Sequence, residues 1–545
     1  MADAGFPTVW APSFDAGTEA TLPDPNDELE ALYAKRLDFR RADPLVPVRV
    51  MEGQKEVTFT PLGRMRVRVR AQVAKTVEGP AQGIWTVRLS RGEPAVLRVR
   101  IQLAEFAFAD HESLAAEQKA WEDRGLKVRI VTLGAVYGIA GKVIDNRRHL
   151  LLVDELLDLK SAPARQAELL RKHGIRTTLF EELERRPSGV LELLDEGGGV
   201  VAVADDLLST ETLDGAGFDV RRVEHGVGYD NHGFEDRRFH GELDFTVDRN
   251  GGLAVVNRVL LEDLLQGLVP SEIFPRAHAE ALKAQAVTAR GEVLAKIGLK
   301  HLSDPYLLCS EQHCAVYRGA SGEAASTTAA VEATRGEALF SQDGHLVDSV
   351  YSAVCGGHTE NNEAVWGGIP NPNLRGRPDL LHARAGLPSP AHLEEFLEAD
   401  LPAACKLSTF AQPSKYRWER RFSAEEVNAL TAPLGVGAVQ AIAVADRGVS
   451  GRARLLTIAG ETGATQVRGE LNIRKLFKNL NSAMFVVTAE RGEDKKVTGW
   501  RFRGGGWGHG VGMCQTGAIG RAEAGQDYRA ILRYYFSGAE VSGLY

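Results

Sequence analysis

The stretch from Leu260 to Cys314, LLEDLLQGLVPSEIFPRAHAEALKAQAVTARGEVLAKIGLKHLSDPYLLCSEQHC, holds a carboxylate, a long small-residue segment and a cluster of soft metal ligands. Pro270 and Pro275 both resist mid-helix positions and bias the residues before them away from the α region, so Val269-Pro270-Ser271-Glu272 is expected as a rigid junction between two helices. Downstream, Ala279, Leu282, Ala286, Ala289 and Val293 recur at helical spacing, Pro275 suits a first turn and Gly298 a C-terminal cap. A helix of about five to six turns follows, from roughly Arg276 to Ile297. Its buried face is mostly alanine, which lets a neighbouring backbone approach closely and constrains the placement of Glu272. In isolation, such a glutamate would be explained simply as a complement to the positive end of the helix.

Working outward, 545 residues correspond to about three to four domains, and 44% hydrophobic with 25% charged residues is an ordinary soluble globular composition. A net charge of −8, with no block of clustered Lys and Arg, argues against a general nucleic-acid binder and favours a neutral or weakly charged partner. No run of 18 or more apolar residues occurs, so no transmembrane helix is predicted. The start, MADAGFPTVWAPSF, lacks the basic-then-apolar pattern of a signal peptide, which leaves a cytoplasmic protein or a trimmed mature form. Five cysteines, Cys309, Cys314, Cys355, Cys405 and Cys514, are too few for a disulfide framework at this length.

Residues 1–40 are expected as a flexible tail, rich in Pro, Asp, Thr and Ala at its start. Residues 41–110 form a β-rich module, because runs such as Met65-Arg66-Val67-Arg68-Val69-Arg70 alternate as half-buried strands do. In 111–229 two helix-Gly-strand units follow one another around Gly125 and Gly174. This duplicated pattern resembles the SPOR-type repeats that bind bacterial glycan strands, although a plain α/β structural module has the same grammar. A last domain spans 230–545 and opens on two alternating runs joined by Asn250-Gly251-Gly252, a hairpin signal. Within it, residues 371–415 are Pro-rich and read as an insertion, and Asp527–Phe536 reads as a short amphipathic helix. The expected fold class is therefore a multidomain α+β protein.

Four blocks, LAVVNRVLLEDLLQGLVPSEIFPRAHAEALKAQAVTAR, CSEQHCAVYRG, YSAVCGGHTENNEAVWGG and GGGWGHGVGMCQTGAIGRAEAGQDYRAILRYYFSGAEV, occur in the order seen in the SpoIID/LytB family, the stage II sporulation protein D type, which this half of the chain resembles. The resemblance implies a SpoIID-like catalytic domain that cleaves peptide-stripped glycan strands of peptidoglycan as a lytic transglycosylase. Function would then lie outside the cytoplasmic membrane, in the periplasm or cell wall. Glu272 falls on the position that family members use as the catalytic acid. A hydrolase usually needs two carboxylates. A lytic transglycosylase manages with one, because the muramic acid C6 hydroxyl is the internal nucleophile and a 1,6-anhydro product results. Apolar Val269, Ile273 and Phe274 beside Glu272 would raise its pKa by desolvation and keep it protonated near neutral pH. The LytB side of the family implies a different role, a glycan-binding enhancer of a separate cell-wall amidase.

His301, Cys309 and Cys314 have the spacing H-x7-C-x4-C, and thiolates with imidazole favour zinc over magnesium or calcium. Family members that hold zinc through one His and two Cys near the glutamate strengthen this assignment, with His313 or Cys355 as a fourth ligand. Cys309–Cys314 or Cys314–Cys355 disulfides are the competing reading in an oxidising compartment. Further along, Gly356-Gly357 allows a tight turn or a close approach to ligand, flanked by Tyr351, Ser352, Thr359, Glu360 and Asn361 as sugar-compatible groups. GGGWGHGVGMCQTGA offers Trp507 for stacking on a sugar face and His509 and Gln515 for hydrogen bonds. Cys514 stands where relatives are expected to carry serine. No parallel βαβ unit accompanies these glycines, so nucleotide binding is rejected.

Overall fold

The computed structural model describes residues 27–545, apart from 36, 41–42, 71–74, 81, 176, 228–231 and 383–385. Residues 1–26 of the expected tail lie outside the described residues. The described residues of 27–40, assigned to that tail, instead include a helix, Glu28–Tyr33, and a strand, Asp38–Arg40. The Asp27 carboxylate accepts the Leu29 and Glu30 N–H groups, and Leu29 and Leu32 pack with Leu207. A cap and a small apolar contact are what composition alone hides.

The fold is mixed α+β, as the patterning predicts, and comprises two compact units. One is Met1–Glu272 with Lys296–Glu323; the other is Ile273–Ala295 with Ala324–Tyr545. In the first unit a sheet runs in the order Asp38–Arg40, Asp43–Gln54, Leu253–Leu260, Glu242–Val247, Leu207–Thr212, Met65–Val69 and Lys75–Gly79. Strands from both sides of residue 230 thus share one sheet. The Asn250-Gly251-Gly252 hairpin forms as predicted, with Gly251 at φ +84°. The short strand Leu308–Cys309 adds in parallel to Asp43–Gln54, pairing Cys309 with Arg49. This pairing fixes one soft ligand to a rigid frame.

The two helix-Gly-strand units share a second, antiparallel sheet in the order Thr178–Arg185, Val96–Ala107, Arg148–Val153 and Val128–Leu133. Helices His111–Asp123 and Ala162–His173 connect its strands, giving a β-α-β-β-α-β chain order. Trp121, Leu126 and Leu169 pack against Ile101, Leu151 and Val153 to form its core.

In the second unit the predicted small-residue helix runs Ala279–Ala295. It is buried on nearly every side, including Gln285, Thr288 and Arg290, so it is a central helix with no polar face. Helices Ala325–Ala333, Gln515–Glu523 and Tyr528–Tyr535 surround it. A separate aromatic core of Trp418, Phe422, Phe477, Phe485, Trp500 and Phe502 holds two three-stranded sheets from residues 417–505. The expected 371–415 insertion carries the short helices Leu393–Glu398, Ala404–Leu407 and Pro413–Tyr416.

Candidate functional site

Glu272 is the last residue of the Leu261–Glu272 helix. Pro270 was expected to sit between helices but lies inside this one. Leu261, Leu264, Leu265, Leu268 and Val269 are all buried, and burying about five such side chains outweighs a proline penalty of ~3 kcal/mol. Gly267 lets the helix press on the loop beyond Cys314, since a Cβ there would meet the Gly319 carbonyl oxygen at 2.5 Å. In the same region the Val316 N–H donates to Glu272 Oε1 at 3.1 Å. The carboxylate is therefore tied to a backbone position two residues past Cys314. Of the three apolar neighbours expected from the sequence, Val269 and Ile273 are buried, whereas Phe274 is 41% exposed and stacks on Phe410.

His301, Cys309, His313 and Cys314 converge so that one ligand atom from each lies within 4.8 Å of the others. His301 Nε2 is 3.1 Å from Cys314 Sγ, and His313 Nδ1 is 3.5 Å from Cys314 Sγ and 3.8 Å from Cys309 Sγ. A tetrahedral zinc with Zn–S of ~2.3 Å and Zn–N of ~2.0 Å has N···S edges of roughly 3.5 Å. The donors match that size and hardness. His301 Nδ1 lies 3.1 Å from Asp304 Oδ2, which leaves Nε2 turned to the sulfurs in the way outer carboxylates orient ligating imidazoles. Its backbone is held at φ +53°, a conformation a non-glycine residue adopts at some cost. Lys296 and Lys300 donate to the Cys314 and His313 carbonyls and brace the loop.

Electrostatics follow the same layout. Burial pulls the His301 imidazole down, yet Asp304 and Cys309 outweigh it and hold its pKa above the ordinary value. The Cys309 thiol, by hydrogen bonding, draws Cys314 down to about 6 against the effect of burial. Cys309 and Cys314 are free thiols, and of the two fourth-ligand candidates His313 stands with them while Cys355 belongs to the second unit. A cleft of about 450 Å³ opens beside the cluster, lined by Arg49, Arg249, Asp304, Tyr306 and His313 among others.

Tyr351, Trp507, His509 and Gln515 all lie in the second unit. Tyr351 begins a two-residue strand parallel to Met513–Cys514. Trp507 exchanges backbone hydrogen bonds with Val354, is 39% exposed and has the Lys415 ammonium 5.0 Å from its ring. His509 accepts the Val511 N–H at Nδ1 and packs on Trp366 with ring centroids 5.0 Å apart. Gln515 is buried and donates to Gln285 of the central helix at 3.2 Å. Among the flanking polar residues, Thr359 and Glu360 are buried too, and Glu360 accepts from the Val449 N–H and from Ser450. Asp304, Trp366 and Lys415 were missed by sequence reasoning. An H-x-x-D spacing after His301 was the one available signal, and Trp366 and Lys415 had none.

The segment that carries Glu272 and the His/Cys cluster matches the family model described as Stage II sporulation protein, over residues 249–340. Residues 360–512 match a domain of unknown function (DUF8618). An uncharacterized protein of Brachyspira hyodysenteriae is 30% identical over 319 residues, covering 58% of this chain and 74% of that protein. Stage II sporulation protein D of Bacillus subtilis is 26% identical over 309 residues, 53% of this chain and 76% of its own length. The amidase enhancer of the same organism is 26% identical over 292 residues, 51% of this chain, of which it shares only 40% of its own length. The chain belongs to the SpoIID family. Among the described residues no helix is long and apolar enough to cross a membrane.

Proposed function

We propose that this chain acts on the bacterial cell wall as a peptidoglycan lytic transglycosylase, with Glu272 as its acid and base. The observation that carries the reading is the placement of Glu272: a carboxylate closing a buried helix, tied by Val316 N–H to the loop of the His/Cys cluster, inside the family-matched segment. In this scheme Glu272 protonates the glycosidic oxygen and the bond to the anomeric carbon breaks. The carboxylate so formed takes the proton of the muramic acid C6 hydroxyl as that oxygen closes on the anomeric carbon. The proton is returned, no water is consumed, and a 1,6-anhydro sugar leaves.

His301, Cys309 and Cys314, with His313 as fourth ligand, would hold zinc. The metal would supply a rigid crosslink between Leu308–Cys309 and the loop leading to Val316, and so a fixed position for Glu272. Trp507, His509 and Tyr351 would contribute sugar contacts, and the β-α-β-β-α-β module would add glycan affinity. The workplace would be extracytoplasmic. A second reading, a glycan-binding enhancer of a cell-wall amidase, draws on the similarity to the amidase enhancer.

The test is incubation with peptide-stripped glycan strands and mass spectrometry of the products, with Glu272→Gln alongside. Products lighter by one water than hydrolysis gives, absent with the variant, are expected. Intact glycan that remains bound would replace this reading with the enhancer one.

A further inference from the structure

The second unit contains a donor cluster that neither the glycan chemistry nor the first cluster uses. Cys355, Asp379, Cys405 and Cys514 each present a ligand atom within 4.8 Å of the others. All four are buried, with Cys355, Asp379 and Cys514 at 0% exposure and Cys405 at 1%. Cys355 Sγ is 3.6 Å from Cys405 Sγ and 3.1 Å from Asp379 Oδ2. A tetrahedral zinc with Zn–S of ~2.3 Å has S···S edges of roughly 3.8 Å and slightly shorter S···O edges, so the cluster has the size of a metal site.

We propose that Cys355, Cys405, Cys514 and Asp379 Oδ2 form a closed structural site for a soft divalent cation, zinc by its donor set. The surroundings are built for anionic ligands. Cys514 Sγ accepts the N–H groups of Cys355 at 3.1 Å and Gly517 at 3.3 Å, and it sits at the positive end of the Gln515–Glu523 helix as its N-cap. Asp379 Oδ1 accepts from Tyr535 Oη at 2.7 Å and from Arg521 Nη2 at 2.9 Å, which leaves Oδ2 directed at the sulfurs. Arg521 supplies one positive charge to an assembly that would otherwise carry two net negative charges after three thiolates and a carboxylate meet a dication. Such outer contacts are what orient and tune metal ligands.

The local packing leaves room for nothing larger than hydrogen at the key contact. A Cβ on Gly517 would meet Tyr535 Oη at 2.3 Å and Asp379 Oδ2 at 2.4 Å. Four protein ligands complete the tetrahedron, so no open position remains for substrate and the site is structural. It would join four separate segments of the second unit: the strand ending near Cys355, the loop of Asp379, the Ala404–Leu407 helix and the Gln515–Glu523 helix. On binding, each protonated thiol releases its proton to buffer and donates a lone pair to the metal; no electron changes hands.

The inference is tested on the full chain kept reduced, using zinc analysis and cobalt(II) substitution. Wild type is expected to hold two equivalents of metal. The variant Cys309→Ser with Cys314→Ser, which removes the first cluster's thiols, is expected to keep one, and its cobalt(II) form to show thiolate charge-transfer bands and tetrahedral d–d absorption. Asp379→Asn on that background is expected to weaken retention while leaving the thiolate bands. Two outcomes would overturn the proposal: a folded double variant that binds cobalt(II) without thiolate bands or not at all, or a Cys355–Cys405 disulfide found by mass spectrometry in the reduced preparation; a wild type holding one equivalent that the double variant keeps would empty the first cluster and leave this one standing.

Discussion

The two donor clusters differ in how they are assembled. His301, Cys309, His313 and Cys314 lie within one short segment, include an exposed histidine and border a polar cleft. Cys355, Asp379, Cys405 and Cys514 come from segments up to 159 residues apart and are sealed from solvent. The first is a local loop clamped next to a carboxylate of the proposed chemistry. The second is a crosslink in the middle of a domain. Exposure to solvent, more than donor chemistry, separates a cluster that a ligand can reach from one that can only stabilise.

The largest effect that sharpens this contrast is on chemistry. Glu272→Gln should lower anhydro-glycan release by about 100- to 10,000-fold, the range for losing a general acid, with both metal equivalents retained. Product counting by mass spectrometry and metal analysis of the same sample check it. Next, Asp379→Asn should cost about 3–5 kcal/mol of unfolding free energy, because it strips a buried Arg521 of its charge partner. Denaturant titration measures this, and a change under about 1 kcal/mol would erase the claim that the second cluster is the mechanical one.

Acid should also act on the second unit. Burial, together with the nearby Arg452 charge, lowers His358 to about 4, against a bond to the Thr359 carbonyl. The unfolded chain binds the extra proton between about pH 6.5 and 4, so this stability is full above pH 6.5 and is lost as pH falls towards 4. The loss amounts to about 3 kcal/mol. A His358→Gln variant should show a flatter stability profile over that window. The smallest effect belongs to the first cluster: Asp304→Asn should weaken metal binding there by roughly 10–100-fold through loss of the His301 contact, without touching the second. Competition with a chelator, read separately for each equivalent, distinguishes the two.

Much of the fold was legible because short-range physics dictates it. Alternation in Met65–Val69, the Asn250-Gly251-Gly252 turn and the amphipathic pattern over Tyr528–Tyr535 all report on residues within a few positions of one another. The Glu272 to Cys314 stretch was legible for the same reason. Pro270 misled because its local preference lost to five buried side chains that only the packed helix reveals. Likewise Gln515, Thr359 and Glu360 looked like sugar ligands by residue type, yet burial commits them to internal bonds.

What the sequence by itself determined is the α+β class and the local His/Cys grouping, which rest on patterning and spacing along the chain, while the family and Glu272 as candidate acid came from the resemblance of four blocks to known relatives. Tertiary structure alone decided that strands 43–54 and 253–260 share a sheet, that Val316 holds Glu272, and that Cys355, Asp379, Cys405 and Cys514 meet. Contacts across such distances depend on loop closure and on which apolar faces are buried together, and neither leaves a periodic mark in the sequence.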